Sequence, residues 1–352
     1  MIEGPFPPSL NTAKNKAYMQ EALATALQEY LGAARISDIH IEHIQRRVVR
    51  YTLQISNPKN DQLTEQHIIG KVYDTPEHLN FGYEMMKQLW ANGFSQKAED
   101  GIYIPKPLGY VPKACVLLMQ EASGGVLRAK LKKKGATENH MRQFARAMVK
   151  LHRCPIQTGR TITVEERLSR CDPSPKVLIK SYPELADDVN SIIEMAYKIE
   201  KMDQKQAKAL IHGDFHPGQV HVDQNTFWVL DIDNLKNADP AFDLAKLFSF
   251  LKRTERKKKL TDYIEKLRNV FIEEYFTAMG WETARRIPFY EALICLKRAC
   301  KCLRVQDDEG WEEKMKRLVR QGAICIQVMT NIPAELNHSK VMEIYHKSPG
   351  IV

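Results

Sequence analysis

The chain has 352 residues, 43% of them apolar and 27% charged, ordinary proportions for a globular protein long enough to form two lobes. Its formal charge of +9 raises the question of polyanionic partners, but no RNP-like, zinc-finger or KH-like pattern accompanies the lysines and arginines. Every apolar run falls far below the roughly 20 residues a membrane-spanning helix needs, and the start, MIEGPFPPS, lacks a basic segment followed by an apolar run. Seven cysteines without a CxxC pair point to reduced thiols and a cytoplasmic setting.

Residues 11–32 carry Tyr18/Met19, Ala22/Leu23, Ala26/Leu27 and Tyr30/Leu31 at four-residue spacing, with Gly32 as a stop, which predicts one amphipathic helix. The β-branched runs Ile39 to Ile44 and Val48 to Ile55 predict two strands turning near Arg46 and Arg47, arginines that face solvent or reach a phosphate. A loop at 57–61 and a third strand, His67 to Tyr73, follow, the latter carrying Lys71. Thr75-Pro76-Glu77 opens a helix running to about Asn92. Leu108 to Val111 and Cys115 to Met119 predict a further hairpin. Gly124-Gly125 marks a crossing, after which helical periodicity dominates: Met141, Phe144, Ala145, Met148, Val149 and His152 share one face. The interval 158–180 is weakly patterned. Helices are expected at about 183–201, 203–209, 241–252, 260–279, 283–304 and 311–330. The picture is α+β: a small sheet-bearing lobe over 1–120 and a larger, mostly helical lobe over 121–352. Two basic clusters, at 128–134 and 252–259, read as solvated helix faces, or else as attractors of nucleotide or an acidic partner.

Around 210 two short apolar strands flank His212-Gly213-Asp214-Phe215-His216-Pro217-Gly218-Gln219. Phe227-Trp228-Val229-Leu230 then leads to Asp231-Ile232-Asp233, and Asp239-Pro240 leads to Asp243-Leu244-Ala245 at a helix start. Phosphoryl transfer needs a carboxylate to orient and deprotonate the acceptor hydroxyl, oxygen ligands for Mg²⁺, and cationic charge on the phosphates. Asp214 suits the first role, Gln219 and Asp231 the second. Lys71 suits the third, with Glu84 on the following helix as its expected ion-pair partner.

At these residues the sequence resembles the aminoglycoside phosphotransferase and choline kinase family, small-molecule relatives of protein kinases. The family's HGDxHxxN loop resembles His212 to Gln219, its strand ending in a metal-binding aspartate Val229 to Asp233, and its GDPxxDLA tail Ala238 to Ala245. Weaker echoes include Lys71, Glu84, Ile104 to Gly109 and Leu151-His152. The resemblance implies a protein-kinase-like fold with a small antiparallel-sheet lobe and a larger helical lobe. It also implies an ATP- or GTP-dependent, Mg²⁺-requiring enzyme that phosphorylates a hydroxyl of a small polar metabolite such as a sugar, amino alcohol or aminoglycoside. By that resemblance Asp214 is the base, and Gln219 and Asp231 are metal ligands. Lys71 contacts phosphate, and the main chain of Gln120, Glu121 and Ala122 is the adenine-binding hinge. His212, Asp233 and Asp243 are supporting residues, Asp243 anchoring the loop.

Two departures stand out. Position 219 is Gln where the family usually has Asn, one methylene longer, and Mg²⁺ tolerates poor octahedral geometry badly; this keeps open a catalytically impaired, kinase-fold nucleotide-binding or regulatory protein. No glycine occurs between Gly32 and Gly70, so no glycine-rich loop covers the phosphates. A protein kinase is disfavoured because Asp231 is not followed by Phe-Gly. A zinc site on His212, His216 and His221 is disfavoured because Gly213 and Pro217 break the helix that an i, i+4 pair needs. Cys295, Cys300 and Cys302 read as buried thiols packed with Leu296, Ala299 and Leu303. Asp307-Asp308-Glu309 reads as a solvated turn, or as an attractor of an amine, although the net positive charge argues against a polycationic acceptor. Membrane and nucleic acid are not expected partners.

Overall fold

The computed structural model describes residues 8–57, 63–203, 208–223, 226–258, 260–307 and 309–349. The expected loop at 57–61, helix at 203–209 and turn at 307–309 lie partly outside them, and the first seven residues wholly so. The chain divides into two compact units, residues 1–124 with 221–233, and residues 125–220 with 234–352. The expected single boundary at 120 is therefore replaced by an excursion. The strand Phe227–Val229 pairs in parallel with Ile102–Tyr103, bringing the segment that carries Asp231 into the first unit.

In the first unit five antiparallel strands lie in the order Arg35–Gln45, Val48–Ser56, Leu63–Val72, Val116–Gln120, Pro107–Val111. Strand alternation sends Val49, Tyr51, Leu53 and Ile55 to one face. There they pack with Ile39, Ile68 and the N-terminal residues Leu10, Met19, Leu23 and Leu27. Those N-terminal residues form three helices, Pro8–Ala13, Lys16–Ala26 and Gln28–Leu31, where a single helix was expected. The break falls at Asn15, whose side chain accepts the Tyr18 N–H at 3.1 Å and caps the second helix. Gly70 lies on the packed face: a Cβ there would stand 2.5 Å from the Tyr51 ring, so only glycine admits the tyrosine. The period of two then turns the next residue, Lys71, to the opposite face.

The helix Pro76–Leu89, capped by Thr75, buries Leu79, Gly82, Met85, Met86 and Leu89. Gly82 leaves room for the Tyr73 hydroxyl, which a Cβ would meet at 2.5 Å.

The second unit is helical. Glu138–His152, Ala186–Asp203, Ala241–Lys258, Thr261–Met279, Ile287–Val305 and Trp311–Thr330 are its long helices. Gly322 permits close packing, since a Cβ would come 2.7 Å from Ile192 Cδ1. Short helices at Val164–Ser169, Pro175–Ser181 and His338–Lys347 were not anticipated, nor was the strand Lys236–Ala238, antiparallel to Ala209–Ile211. Cys295, Cys300 and Cys302 are buried, and no cysteine is in a disulfide. Lys252, expected on a solvated face, is instead buried and paired with Glu291 at 2.7 Å. Among the described residues no helix is long and apolar enough to cross a membrane.

Candidate active site

In the first unit, Lys71 sits between two carboxylates. Its ammonium pairs with Asp233 Oδ2 at 2.5 Å and with Asp231, and its side chain is 15% exposed. Burial by itself would lower the Lys71 pKa, but the negative charges of Asp233 and Asp231 outweigh it and hold the ammonium above its ordinary value. The Tyr73 hydroxyl donates to Asp233 Oδ1 at 2.5 Å. Burial and then the Asp233 charge push the phenol pKa upward, so it remains a donor. Asp231 has φ of +60°, a left-handed conformation that a short polar side chain tolerates, and it turns the chain sharply after Phe227–Val229.

The expected Lys71–Glu84 ion pair does not form. Glu84 lies on the solvent side of its helix and pairs with Lys87 at 3.3 Å. The residues buried along that helix place Glu84 on the outward face, and Gly82 and Tyr73 take the inward space. Arg47 is held by Asp74 at 2.6 Å.

Gln120 ends the strand Val116–Gln120, its N–H donating to the Lys106 carbonyl at 3.0 Å. The Glu121 carboxylate accepts two bonds from Arg50, at 3.1 and 2.5 Å, which raise the guanidinium pKa. Past Ala122, Ser123 Oγ donates to Asp223 at 2.8 Å and accepts the Trp228 indole N–H at 3.1 Å. Gly124, at φ +78°, passes so near the Val222 carbonyl that a Cβ would meet its oxygen at 2.4 Å. The segment from Gln120 to Gly124 is thus fixed from both sides within this unit.

In the second unit the loop holding Asp214 is clamped from beneath by Asp243. The Asp243 carboxylate is fully buried; Oδ2 accepts the His212 N–H at 2.7 Å and Oδ1 the Gly213 N–H at 2.9 Å. His152 Nε2 lies 3.3 Å from Oδ2, and its Nδ1 is 2.9 Å from the Tyr275 hydroxyl. Burial would raise the Asp243 pKa, but the His152 hydrogen bond and charge, with the His212 amide, bring it below the ordinary value of 3.8. Gly213 turns at φ +82°, where a Cβ would stand 2.9 Å from the Asn234 carbonyl oxygen. His212 stacks on Phe215 at 4.9 Å, which anchors the loop in the core.

Asp214 therefore projects from a loop with a rigid floor. Its Oδ1 is 3.2 Å from Lys246 Nζ, and its Oδ2 faces His216 Nε2 at 3.6 Å. The Gly218 N–H donates to His216 Nδ1 at 2.9 Å, which assigns the neutral ring's proton to Nε2, facing Asp214. Burial lowers the His216 pKa despite the adjacent carboxylate, consistent with that neutral form. Gln219 is half-buried and tied to this loop through its N–H to the His216 carbonyl, 2.8 Å. The site residues thus fall into two groups, Lys71 with Asp231 and Asp233 in one unit, and Asp214, His212, Gln219 and Asp243 in the other. Glu84 joins neither.

Residues 62–286 match the model of the phosphotransferase enzyme family, well over half of the chain. The chain belongs to that family. No curated protein matches this phosphotransferase in sequence. Among solved structures it is similar to an amicoumacin kinase in complex with AMP-PNP, Ca²⁺ and Ami, with TM-score 0.58 and 12% identity over 89% of this chain and 95% of that one. It is also similar to a Plasmodium vivax ethanolamine kinase, with TM-score 0.55 and 11% identity over 92% and 95% of the two chains. A choline/ethanolamine kinase family protein from Mesorhizobium loti gives TM-score 0.51 and 13% identity over 94% and 98%. At such identities the likeness establishes the fold, the protein-kinase-like fold of small-molecule kinases, as the HGD-type loop led one to expect.

Three residues of this phosphotransferase escaped sequence reasoning. Lys246 stands one helical turn after Asp243, a spacing that was readable. Tyr73 and Lys236 carried no local signal.

The Asp243 clamp makes a prediction. In Asp243→Asn only one oxygen remains to accept, so one of the two loop N–H groups loses its partner in the core, costing about 1–3 kcal/mol. Because the folded pKa is depressed, the carboxylate's contribution is present above the unfolded value of 3.8 and lost as pH falls through the lower folded one. Denaturant unfolding at about pH 6 and about pH 3 should therefore show a smaller acid-side stability loss for Asp243→Asn than for wild type.

Proposed function

We propose that this phosphotransferase moves the γ-phosphoryl group of ATP or GTP to a hydroxyl of a small polar metabolite. The observation that carries the reading is Asp214, aimed from a clamped loop and flanked by a neutral histidine and a lysine, in the wall of a cavity of about 570 Å³. In this reading Asp214 orients the acceptor hydroxyl and takes its proton, and Lys246 steadies the carboxylate. Lys71 contacts the phosphates of the donor, and the main chain of Gln120 to Ala122 receives the adenine. Asp231, Asp233 and the Gln219 amide are the hard oxygen donors for Mg²⁺, which when bound offsets charge on the phosphates. The gathering of Asp231 and Asp233 around one ammonium supports the fit, since a cation already stabilises that carboxylate pair. The AMP-PNP and Ca²⁺ bound to the amicoumacin kinase, and the acceptor in the name of the ethanolamine kinase, support the same class of chemistry. Seven cysteines outside any disulfide fit a reducing, cytoplasmic setting.

The catalytically impaired reading keeps one motivation, the longer side chain of Gln219. Calorimetry of AMP-PNP with and without Mg²⁺ separates the two. An active enzyme should bind at least about tenfold more tightly with the metal, whereas metal-indifferent binding together with no nucleotide consumption would favour the impaired protein.

A further inference from the structure

The cavity beside Asp214 lies wholly within the second unit, and its charge is lopsided. Nine lysines and arginines line it against two carboxylates, Asp172 and Asp214. Asp172 is already paired with Arg304 at 2.6 Å, and Asp214 is engaged by Lys246. The remaining seven form no ion pair with a carboxylate among the described residues.

Lys236 is the most telling. It is 8% exposed, and its strand is pinned antiparallel to Ala209–Ile211, with Lys236 opposite Ile211. Its Cε lies 3.2 Å from where a Cβ on Gly213 would stand, so the amine ends beside the backbone that presents Asp214. Among the described residues it makes no side-chain hydrogen bond or ion pair, although lysines so little exposed are ordinarily paired. Arg298 has a buried Nη1 without a hydrogen-bond partner. Arg253 gives only its Nε, to its own helix's Ser249 carbonyl at 3.2 Å. Lys297, at the cavity wall, feels the Asp214 charge but forms no ion pair among the described residues. Burial and then the like charges of Arg170, Arg167 and Lys246 outweigh the opposing charge of Asp243 and push Lys236 down to about 8. Burial likewise lowers Lys297, Arg253 and Arg298, with neighbouring cations adding to the fall at Lys297 and Arg298.

Packing like charges around a concave surface opposes folding unless something supplies the counter-charge. A phosphomonoester supplies it, a dianion whose oxygens take several charge-assisted hydrogen bonds from Lys and Arg at once. An amino alcohol would add a further cation. We propose that the acceptor is itself an anion, a phosphomonoester with a free hydroxyl, its phosphate seated among Lys236, Arg253, Lys297 and Arg298 and its hydroxyl presented to Asp214. This rests on the phosphotransfer reading above. The acceptor oxygen bonds to the γ-phosphorus of ATP as the bond to the β–γ bridging oxygen breaks. ADP leaves with that electron pair, Asp214 takes the hydroxyl proton, and the product is a bisphosphate.

The test uses the full chain with Mg²⁺ and either ATP, for product detection by mass spectrometry, or AMP-PNP, for calorimetry. The probes are glycerol 3-phosphate, ribose 5-phosphate and glucose 6-phosphate against glycerol, ribose, glucose, ethanolamine and glucosamine. At least one phosphate ester should bind at least about tenfold more tightly than its neutral or amine counterpart. Lys297→Ala, at an exposed position that leaves the core intact, and Arg298→Ala should each weaken that ester by about tenfold with little change for the neutral compound. Equal or tighter binding of neutral or amine probes, absence of any ester binding, or ester affinity unmoved in Lys297→Ala overturns the inference. Transfer to a neutral or amine acceptor without anion preference would do so while leaving the phosphotransfer reading intact. Ester binding that Lys297→Ala abolishes, with no transfer to any probe, supports the anion site and counts against phosphotransfer.

Discussion

Asp214→Asn is expected to lower the turnover of phosphoryl transfer by about 10²- to 10⁴-fold, the range by which a positioned base contributes, while nucleotide affinity changes little. The asymmetry follows from where the groups sit. Asparagine is nearly isosteric, and its amide oxygen still accepts from Lys246, now 3.2 Å from Oδ1. The loop beneath is fixed by the Asp243 bonds to the His212 and Gly213 amides, which the substitution leaves alone. Lys71, Asp231 and Asp233, proposed to serve the phosphoryl donor, belong to the other unit and contact one another without Asp214. What disappears is the capacity to accept a proton. Single-turnover assays beside AMP-PNP calorimetry check both halves of the expectation, and turnover within a few-fold of wild type would remove Asp214 from the role of base.

The parts of this structure that were legible in the sequence are those set by local periodicity and by compact loops. The β-branched run Val48 to Ile55 and the apolar run around Lys71 marked two of the sheet's strands and placed the lysine on one of them. The resemblance of His212 to Ala245 to the family's loop and tail implied Asp243 as the loop's anchor, and in the structure it accepts the His212 and Gly213 amides. The losses have physical reasons. Lys71 was assigned an acid on the following helix, Glu84, whereas its partners Asp231 and Asp233 lie far downstream and arrive by the pairing of Phe227–Val229 with Ile102–Tyr103. Strands of two or three residues are too short for any periodic signature. The same brevity hid Lys236–Ala238, and with it a buried lysine beside the Asp214 loop. Val164–Ser169 does begin with a readable capping box, Thr163 with Glu166, but six residues show less than two turns of apolar pattern. At the N-terminus the cap at Asn15 was overridden by an apolar spacing that runs straight through the break.

Lys71→Met should abolish most transfer and, more informatively, invert how the first unit responds to pH and to Mg²⁺. In the wild type the ammonium lies between Asp231 and Asp233 and is charged at every pH below its raised pKa, so its stabilising contribution is complete below the unfolded lysine value of 10.5 and fades only as pH rises through the higher folded one. Methionine keeps the length and the apolar stem but leaves two carboxylates facing each other without the ammonium, the Tyr73 hydroxyl still donating to Asp233. Their side chains are 37% and 27% exposed, so solvent screens part of the repulsion and a loss on the order of 2 kcal/mol is expected, below the range for a fully buried pair. That loss should shrink as pH falls into the carboxylate range, where protonation of either aspartate relieves it, so the variant gains on the wild type in acid. It should shrink as well when a divalent cation takes the place of the ammonium. Thermal unfolding of both proteins without nucleotide, with and without millimolar Mg²⁺, reads this directly: Lys71→Met should rise by several degrees where the wild type barely moves. An equal response of the two would mean that Asp231 and Asp233 do not form a cation site, and the donor half of the proposed chemistry would then have to be placed elsewhere in the first unit.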